Sequence, residues 1–398
     1  MAKQPAPVSA DPMSALPRAP RLYFPYIDAA RAVAVTLVLV YHLIPNPVWD
    51  SLSLTGISNI FRIGWIGVDL FFVISGFVIS LSLIRNIENF GIDNYRKPYF
   101  RNRLARIVPL YFLTSWCYLV LVEPQWFNNP ASQFWKNILS HVFFIHNLST
   151  NYMGALNGPT WTIAIEMQFY IFMAIVFKWL PLHRPVLVCA SFIMIALAWR
   201  TGAWYTFDPS LDFWHRMTRV EQLPGRLDAF GLGCAIALIV RDRQHWLHRY
   251  LQPNWGNAAA WFMISIILSI ASWKILMSNQ DYWKPPGTAY WYTLGMVIFF
   301  RLILVSAFAC WICFLVSLKN NAFLTGILSP VSYIGKISYG IYLWHMLVIT
   351  SIMKIGMPHI WQSAGLSVVL VLVISSFTWH FFEHPLIRKY HDKPAPSK

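Results

Sequence analysis

The chain has 398 residues, of which 57% are hydrophobic, 17% aromatic and only 12% charged. That composition excludes the two or three soluble domains the length would allow, because apolar runs long enough to cross a bilayer recur from end to end. The net charge of +15 is not a nucleic-acid footprint either: the positives gather in alternate loops, as the positive-inside rule requires.

An all-α polytopic membrane protein is therefore expected, with about ten spanning helices and both termini cytoplasmic. Residues 1–23 are rich in Pro, Ala and Ser and read as a disordered cytoplasmic tail without a signal-peptide pattern. The first helix is expected from Ala29 to Ile44 and the second from Ile63 to Ile84. A basic loop with Arg85, Arg96, Lys97, Arg101, Arg103 and Arg106 leads to the third, Ile107 to Val122, with Pro109 in its first turn. Glu123 to Pro159 is a long connection in which Phe134–Leu148 reads as an interfacial or re-entrant helix, too short for a span. The remaining helices are expected at Trp161–Leu180, Pro185–Trp199, Leu223–Val240, Ala258–Leu276, Tyr292–Leu318, Ile334–Ile352 and Gly365–Phe382. One transmembrane domain, 24–386, is thus followed by a cytoplasmic tail, 387–398. The five cysteines read as buried reduced thiols, and no metal site is expected.

Ionisable groups inside spans are costly and mark function more often than not. The first helix carries Arg31 and His42. Eleven residues of α-helix return to within roughly 20° of the starting direction and rise about 16 Å, so the two share a face at different depths. By the expected topology His42, Asp69, Glu166, Asp228 and His345 all lie in the outer half of the membrane or near its midplane. Arg226 with Asp228 reads as a structural ion pair, Arg301 as paired or snorkelling, and His345 as a packed histidine beside Tyr339 and Tyr342. At the opposite pole Arg101, Arg103 and Arg106 precede a helix N-terminus at the level of Arg31, which makes an anion site suited to phosphate. A phosphate-sized anion site, a gap of about 16 Å and a histidine match the layout of acetyl-coenzyme A. A desolvated His42 stays neutral and can serve as general base, with Glu166 or Asp69 fixing its tautomer.

The chain also resembles the integral-membrane acyltransferase 3 family of bacterial sugar O-acyltransferases. The resemblance rests on Tyr26–Arg31 through His42, Gly67–Phe77, Arg101–Tyr111, Trp161–Tyr170, Ile337–His345 and Phe382–Pro385. It implies transfer of an acyl group, most simply acetyl, from cytoplasmic acyl-coenzyme A to a hydroxyl of a glycan or glycolipid at the bacterial inner membrane. The family's Arg-plus-His pair falls on Arg31 and His42, its paired arginines on Arg103 and Arg106, and its Trp and Glu on Trp161 and Glu166. Thr162 stands where members usually carry Ser. Some members add a hydrolase-like domain after the last helix, and whatever that domain supplies is expected either to come from elsewhere or to be unnecessary.

The expected site has His42 as base, Glu166 as its orienter, and Arg31, Arg103, Arg106 and Arg101 on the coenzyme A phosphates. Asp69, Trp161, Tyr41, Ser75, Arg226, Asp228 and His345 shape the rest. The expected partners are the bilayer and a glycan or lipid-linked saccharide, with a homo-oligomer left open. The rival readings are a flippase for an anionic glycolipid, disfavoured by the absence of an internal repeat, and a transferase of another acyl group or onto a glycosylated metabolite.

Overall fold

A computed structural model describes residues 24–43, 63–206, 213–278, 295–356 and 359–391, and every element in them is helical. The expected tails, 1–23 and most of 387–398, lie outside the described residues. In chain order the helices are α1 (Ile27–Leu43), α2 (Ile66–Phe90), α3 (Arg96–Leu121), α4 (Ala131–Val142) and α5 (Trp161–Val176). They continue as α6 (Pro185–Tyr205), α7 (Phe213–Val220), α8 (Leu223–Arg241), α9 (Trp255–Ser278) and α10 (Arg301–Ser317). The last five are α11 (Ala322–Ile327), α12 (Ser329–Lys336), α13 (Ser338–Ile355), α14 (Ile360–Thr378) and α15 (His384–His391).

Eight helices among the described residues are long and apolar enough to cross a membrane. The two further spans expected from sequence are α1, which has 17 residues, and α13, which has 18 and carries Ser338, Tyr339, His345 and Lys354. Ser338 and His345 are buried, so protein surrounds these polar groups, while Lys354, exposed near the end of α13, donates to the Val122 carbonyl at 2.6 Å. α2 lies centrally, against α1, α8 and α10, and α8 is wedged between α2 and α6. α8 is buried over 78% of its apolar window, against 17% for α9 and for the span containing α14. The latter two face lipid with Ile267, Val373 and Phe377.

Glycines set how α1 lies on α2. A Cβ at Gly64 would strike the Leu37 carbonyl and one at Gly67 the Ala34 carbonyl, so the backbones touch. Phe24 meets Phe77 at 5.2 Å further along the same antiparallel seam. The register they define puts the backbone of Arg31 beside Leu70 and carries His42 beyond the first turn of α2.

Two local features depart from the sequence reading. The expected basic loop is helical: α3 begins at Arg96, and the proline in its first turn is Pro98, while Pro109 lies inside the helix. Arg103 and Arg106 therefore project from the flank of α3 and not from its N-terminus. The backbone of Arg31 is likewise deeper than theirs, since Arg103 reaches the carbonyl of Val78, eight positions further along α2 than Leu70. The second feature is the connection before α5. The 12 residues of α4 rise only about 18 Å, too short to span. The chain then folds into the protein through a short 3₁₀ turn at His146–Leu148. Phe144 (φ 54°) and Asn157 (φ 59°) adopt left-handed backbone there, a conformation uncommon for non-glycine residues. Asn157 donates to the Leu343 carbonyl at 2.8 Å, which pins this segment to α13. α5 consequently begins inside the bundle rather than at its surface. At the other end of the chain the helix runs on to His391, past the boundary expected at 386.

Candidate active site

Between α1, α2, α3, α5 and the start of α13 is an open cleft of about 740 Å³. Arg31, Arg103 and Arg106 line it together with Ser75, Glu166, Thr162, Tyr170 and Tyr342, and Val68, Phe71, Phe72 and Ile74 give it an apolar wall. Arg103 is 9% exposed. It donates to the Val78 carbonyl at 3.4 Å and stacks over the Tyr170 ring, 5.4 Å from its centroid. These contacts fix the guanidinium plane and leave donors over. Arg31 is held at 3.1 Å by Asp28, one turn earlier. Arg106 makes no hydrogen bond or ion pair within the described residues. Three guanidinium groups, of which only Arg31 makes an ion pair among the described residues, share the cleft with the carboxylate of Glu166 and form a net cationic pole able to take phosphate in a bidentate manner. Arg101 is outside this cleft. Two residues along a helix turn about 200°, so the face that carries Arg103 and Arg106 turns Arg101 away.

Glu166 is in the cleft, but its partners are not those expected. Its Oε1 accepts from the Ser75 hydroxyl at 2.7 Å and from the Tyr170 hydroxyl at 2.6 Å. Because α5 starts deep, Glu166 stands opposite Ser75, nine residues into α2, on the arginine side of the bundle. It does not hydrogen-bond His42. Trp161 is half-buried and does not line the cleft; Thr162 does.

His42 lies further along α1. Its Nδ1 is 2.9 Å from the Val38 carbonyl. A carbonyl oxygen only accepts, so Nδ1 carries the hydrogen and Nε2 the lone pair. The backbone thus performs the orienting task expected of a carboxylate. The ring contacts Tyr41 edge-on at 4.9 Å between centroids and His345 at 5.1 Å. His345 is 1% exposed, and its Nδ1 bonds the Tyr342 carbonyl at 2.6 Å. Tyr342 joins the histidines to the cleft. Its ring is 5.6 Å from that of His345 and 6.0 Å from that of Phe71, while its hydroxyl is 2.6 Å from Thr162 Oγ1 and 3.0 Å from the Pro159 carbonyl.

Asp69 and Asp228 belong to a third neighbourhood. Asp69 Oδ1 accepts from Arg226 at 2.5 Å and from Arg301 at 3.0 Å. Glu221 completes the ring by pairing with both Arg226 and Arg301. Asp228 pairs with Arg200 at 2.6 Å, both fully buried, so the expected Arg226–Asp228 pair is replaced by two others. Three arginines and three carboxylates neutralise one another, as buried charges must. The cluster adjoins the cleft through Phe72, over which the Arg226 guanidinium lies at 5.6 Å.

The titratable residues expected to converge therefore separate into three neighbourhoods: Glu166 with the arginines, His42 with His345, and Asp69 and Asp228 in the ionic cluster. Arg200, Glu221 and Tyr170 have no individual place in the sequence reading, and Thr162 enters it only as a departure from the family's Ser. Arg200 falls one residue past the expected end of its helix, and Glu221 falls in the connection between two expected helices. Among the described residues no group of three or more His, Cys, Asp or Glu side chains could hold a metal ion.

A multi-pass helical membrane protein with an arginine-lined cleft and a histidine on the first helix is the class this fold defines. The chain belongs to the acyltransferase 3 family, whose acyltransferase domain matches residues 24–381. It is 28% identical to the peptidoglycan O-acetyltransferase OatA of Listeria monocytogenes, over 92% of this chain and 56% of that protein. It is also 28% identical to YrhL of Bacillus subtilis, provisionally assigned as a peptidoglycan O-acetyltransferase, over 92% of this chain and 55% of that protein. ORF330 of the Acidianus two-tailed virus, provisionally an acetyltransferase, is 25% identical over 82% of this chain and 83% of its own length. The chain thus spans just over half the length of the first two relatives. No solved structure matches it.

Proposed function

We propose that this protein is an O-acyltransferase, most simply an O-acetyltransferase, that moves an acyl group from cytoplasmic acyl-coenzyme A to a hydroxyl of a cell-envelope glycan. The observation that carries the reading is the cleft itself, lined by Arg31, Arg103 and Arg106 and, with them, by Tyr342, whose ring is 5.6 Å from that of His345, the neighbour of His42. The relatives named as peptidoglycan O-acetyltransferases support a glycan acceptor. The expected arrangement puts the transmembrane domain at 24–386, with the arginine end in the cytosol and His42 toward the opposite face.

The residues present fit the donor. Arg103 and Arg106 grip its phosphates, with Arg31 reaching down from α1, and the apolar wall of Val68, Phe71, Phe72 and Ile74 suits an uncharged arm. The donor supplies the activated thioester. His42, neutral and with Nε2 bare, accepts the proton of the acceptor hydroxyl as oxygen attacks the acyl carbon, a role worth about 10²–10⁴ in rate. Glu166 faces the arginines and tunes the charge of the donor end. The test is thiol release from acetyl-coenzyme A by purified protein in the presence of soluble peptidoglycan fragments. Turnover that depends on both fragments and His42 supports the reading; failure to bind any acyl-coenzyme A sinks it.

A further inference from the structure

Two residue pairs, each spaced four apart, interlock at the cleft. Tyr99 and Arg103 share a face of α3, and Glu166 and Tyr170 share a face of α5. The Arg103 guanidinium lies 5.4 Å from the centroid of the Tyr170 ring and 6.0 Å from that of Tyr99, both within cation–π range. The Tyr99 hydroxyl faces the Tyr170 carbonyl at 3.4 Å, which ties the two rings together. The hydroxyl of Tyr170 itself, a residue 3% exposed, donates to Glu166 Oε1 at 2.6 Å. Arg103 and Glu166 are thus opposite charges that line one cleft and meet one tyrosine, yet they make no ion pair with each other. Arg103 donates to the Val78 carbonyl, and Glu166 accepts only from hydroxyls, those of Ser75 and Tyr170. Elsewhere in the bundle Asp69, Glu221 and Asp228 pair directly with arginines.

We propose that Tyr170 is a positioning residue that keeps Glu166 and Arg103 apart, its ring face holding the guanidinium and its hydroxyl the carboxylate, so that Arg103 stays open to a phosphate of the acyl donor. The inference rests on the acyltransferase reading above and adds to it a residue that acts through Arg103. A carboxylate and a guanidinium in one partly enclosed cleft attract strongly, because the surrounding protein screens them less than water does. If they paired, donor phosphate would have to displace the carboxylate first, and that cost would come off the affinity. A ring face satisfies the cation without neutralising it. A hydroxyl satisfies the anion and leaves its charge in place. Tyrosine supplies both on one rigid frame, whereas phenylalanine supplies only the ring.

The test is acetyl-coenzyme A binding to full-length protein in lipid nanodiscs, read by titration calorimetry. Tyr170→Phe keeps the ring over Arg103 and removes the hydroxyl, which leaves Glu166 held by Ser75 alone. The expected result is an affinity about tenfold weaker, the effect of one charge-assisted contact that must be broken before phosphate binds. Adding Glu166→Gln to Tyr170→Phe is expected to abolish that loss, because an amide forms no ion pair with Arg103. A cleft that had merely loosened would not be mended by a second substitution. Tyr95→Phe is the control: it removes an equally short hydrogen bond, 2.6 Å to the Ala174 carbonyl, from a buried tyrosine outside the cleft, and is expected to bind like wild type. Wild-type affinity in Tyr170→Phe, a loss that persists in Tyr170→Phe/Glu166→Gln, or an equal loss in Tyr95→Phe overturns the role of Tyr170 and leaves the donor site standing. Wild-type protein without affinity for any acyl-coenzyme A removes the donor reading first, and the role of Tyr170 with it.

Discussion

Ser75 and Glu166 meet inside the arginine-lined cleft, the Ser75 hydroxyl donating to Glu166 Oε1 at 2.7 Å. Tyr170 donates to the same oxygen, and the three arginines line the same cleft. Glu166→Gln keeps an oxygen for both donors and removes one negative charge near the proposed phosphate site. KM for acetyl-coenzyme A should therefore fall about fivefold, the equivalent of about 1 kcal/mol of charge–charge repulsion, with kcat little changed. A large fall in kcat instead would return Glu166 to the role of orienter for His42.

The flank of α3 sorts its arginines. Arg103→Ala and Arg106→Ala should each weaken acyl-coenzyme A binding about tenfold or more, since each removes a charge-assisted contact to phosphate. Arg101→Ala should stay within about twofold at physiological salt, because that side chain is turned from the cleft and screening over about 8 Å limits its remote effect. Titration calorimetry of the three variants checks the order. Equal losses would mean that the arginines act as a diffuse surface charge.

The Arg200–Asp228 pair is fully buried at 2.6 Å. Removing one partner strands the other, so Asp228→Ala should lower stability by about 3–5 kcal/mol. Replacing both, as in Arg200→Leu with Asp228→Leu, should recover much of that loss. Thermal unfolding in detergent reads both, and a double variant no better than the single one contradicts the account.

His141, in the last turn of α4, and His146, in the 3₁₀ turn that follows, stack at 3.9 Å. Burial pushes His141 down to about 4 from an ordinary value of 6.5. Burial, then the proximity of His141, holds His146 well below that ordinary value. Both are neutral in the fold and must take up protons on unfolding. Their stabilising contribution is therefore full above about pH 6.5 and is lost as pH falls from there toward about 4, by about 1.4 kcal/mol per pH unit for each ring. The unfolding temperature should drop across that window, and less steeply in His141→Gln/His146→Gln. Parallel slopes would show that other groups dominate acid unfolding.

Much of this was legible in the sequence, because apolar length and helical phase are local properties. They locate most of the spans, put Arg31 and His42 on one helix, and pair Arg103 with Arg106. What was not legible depends on where segments sit relative to one another. The depth of Glu166 follows from a chain that folds inward before Trp161, which only the contacts of Asn157 and Thr162 with α13 reveal. The start of α3 hinges on which of two prolines occupies the first turn, and Pro98 was overlooked for Pro109. Ion-pair partners also escape a linear reading: Arg226 lies two residues from Asp228, yet its partners are Asp69, far away in sequence, and Glu221. From sequence His345 reads as packing, since its proximity to His42 is a property of the folded bundle.

The central claim is that one cleft binds the donor through arginines while a histidine beyond it performs the transfer. The most direct measurement is acetyl-coenzyme A binding and thiol release by wild type, His42→Ala and Arg103→Ala/Arg106→Ala, with soluble peptidoglycan fragments as acceptor. The account predicts binding and turnover in wild type, binding without turnover in His42→Ala, and loss of binding in the arginine variant. Turnover that survives in His42→Ala, or wild-type protein with no affinity for acyl-coenzyme A, would contradict it.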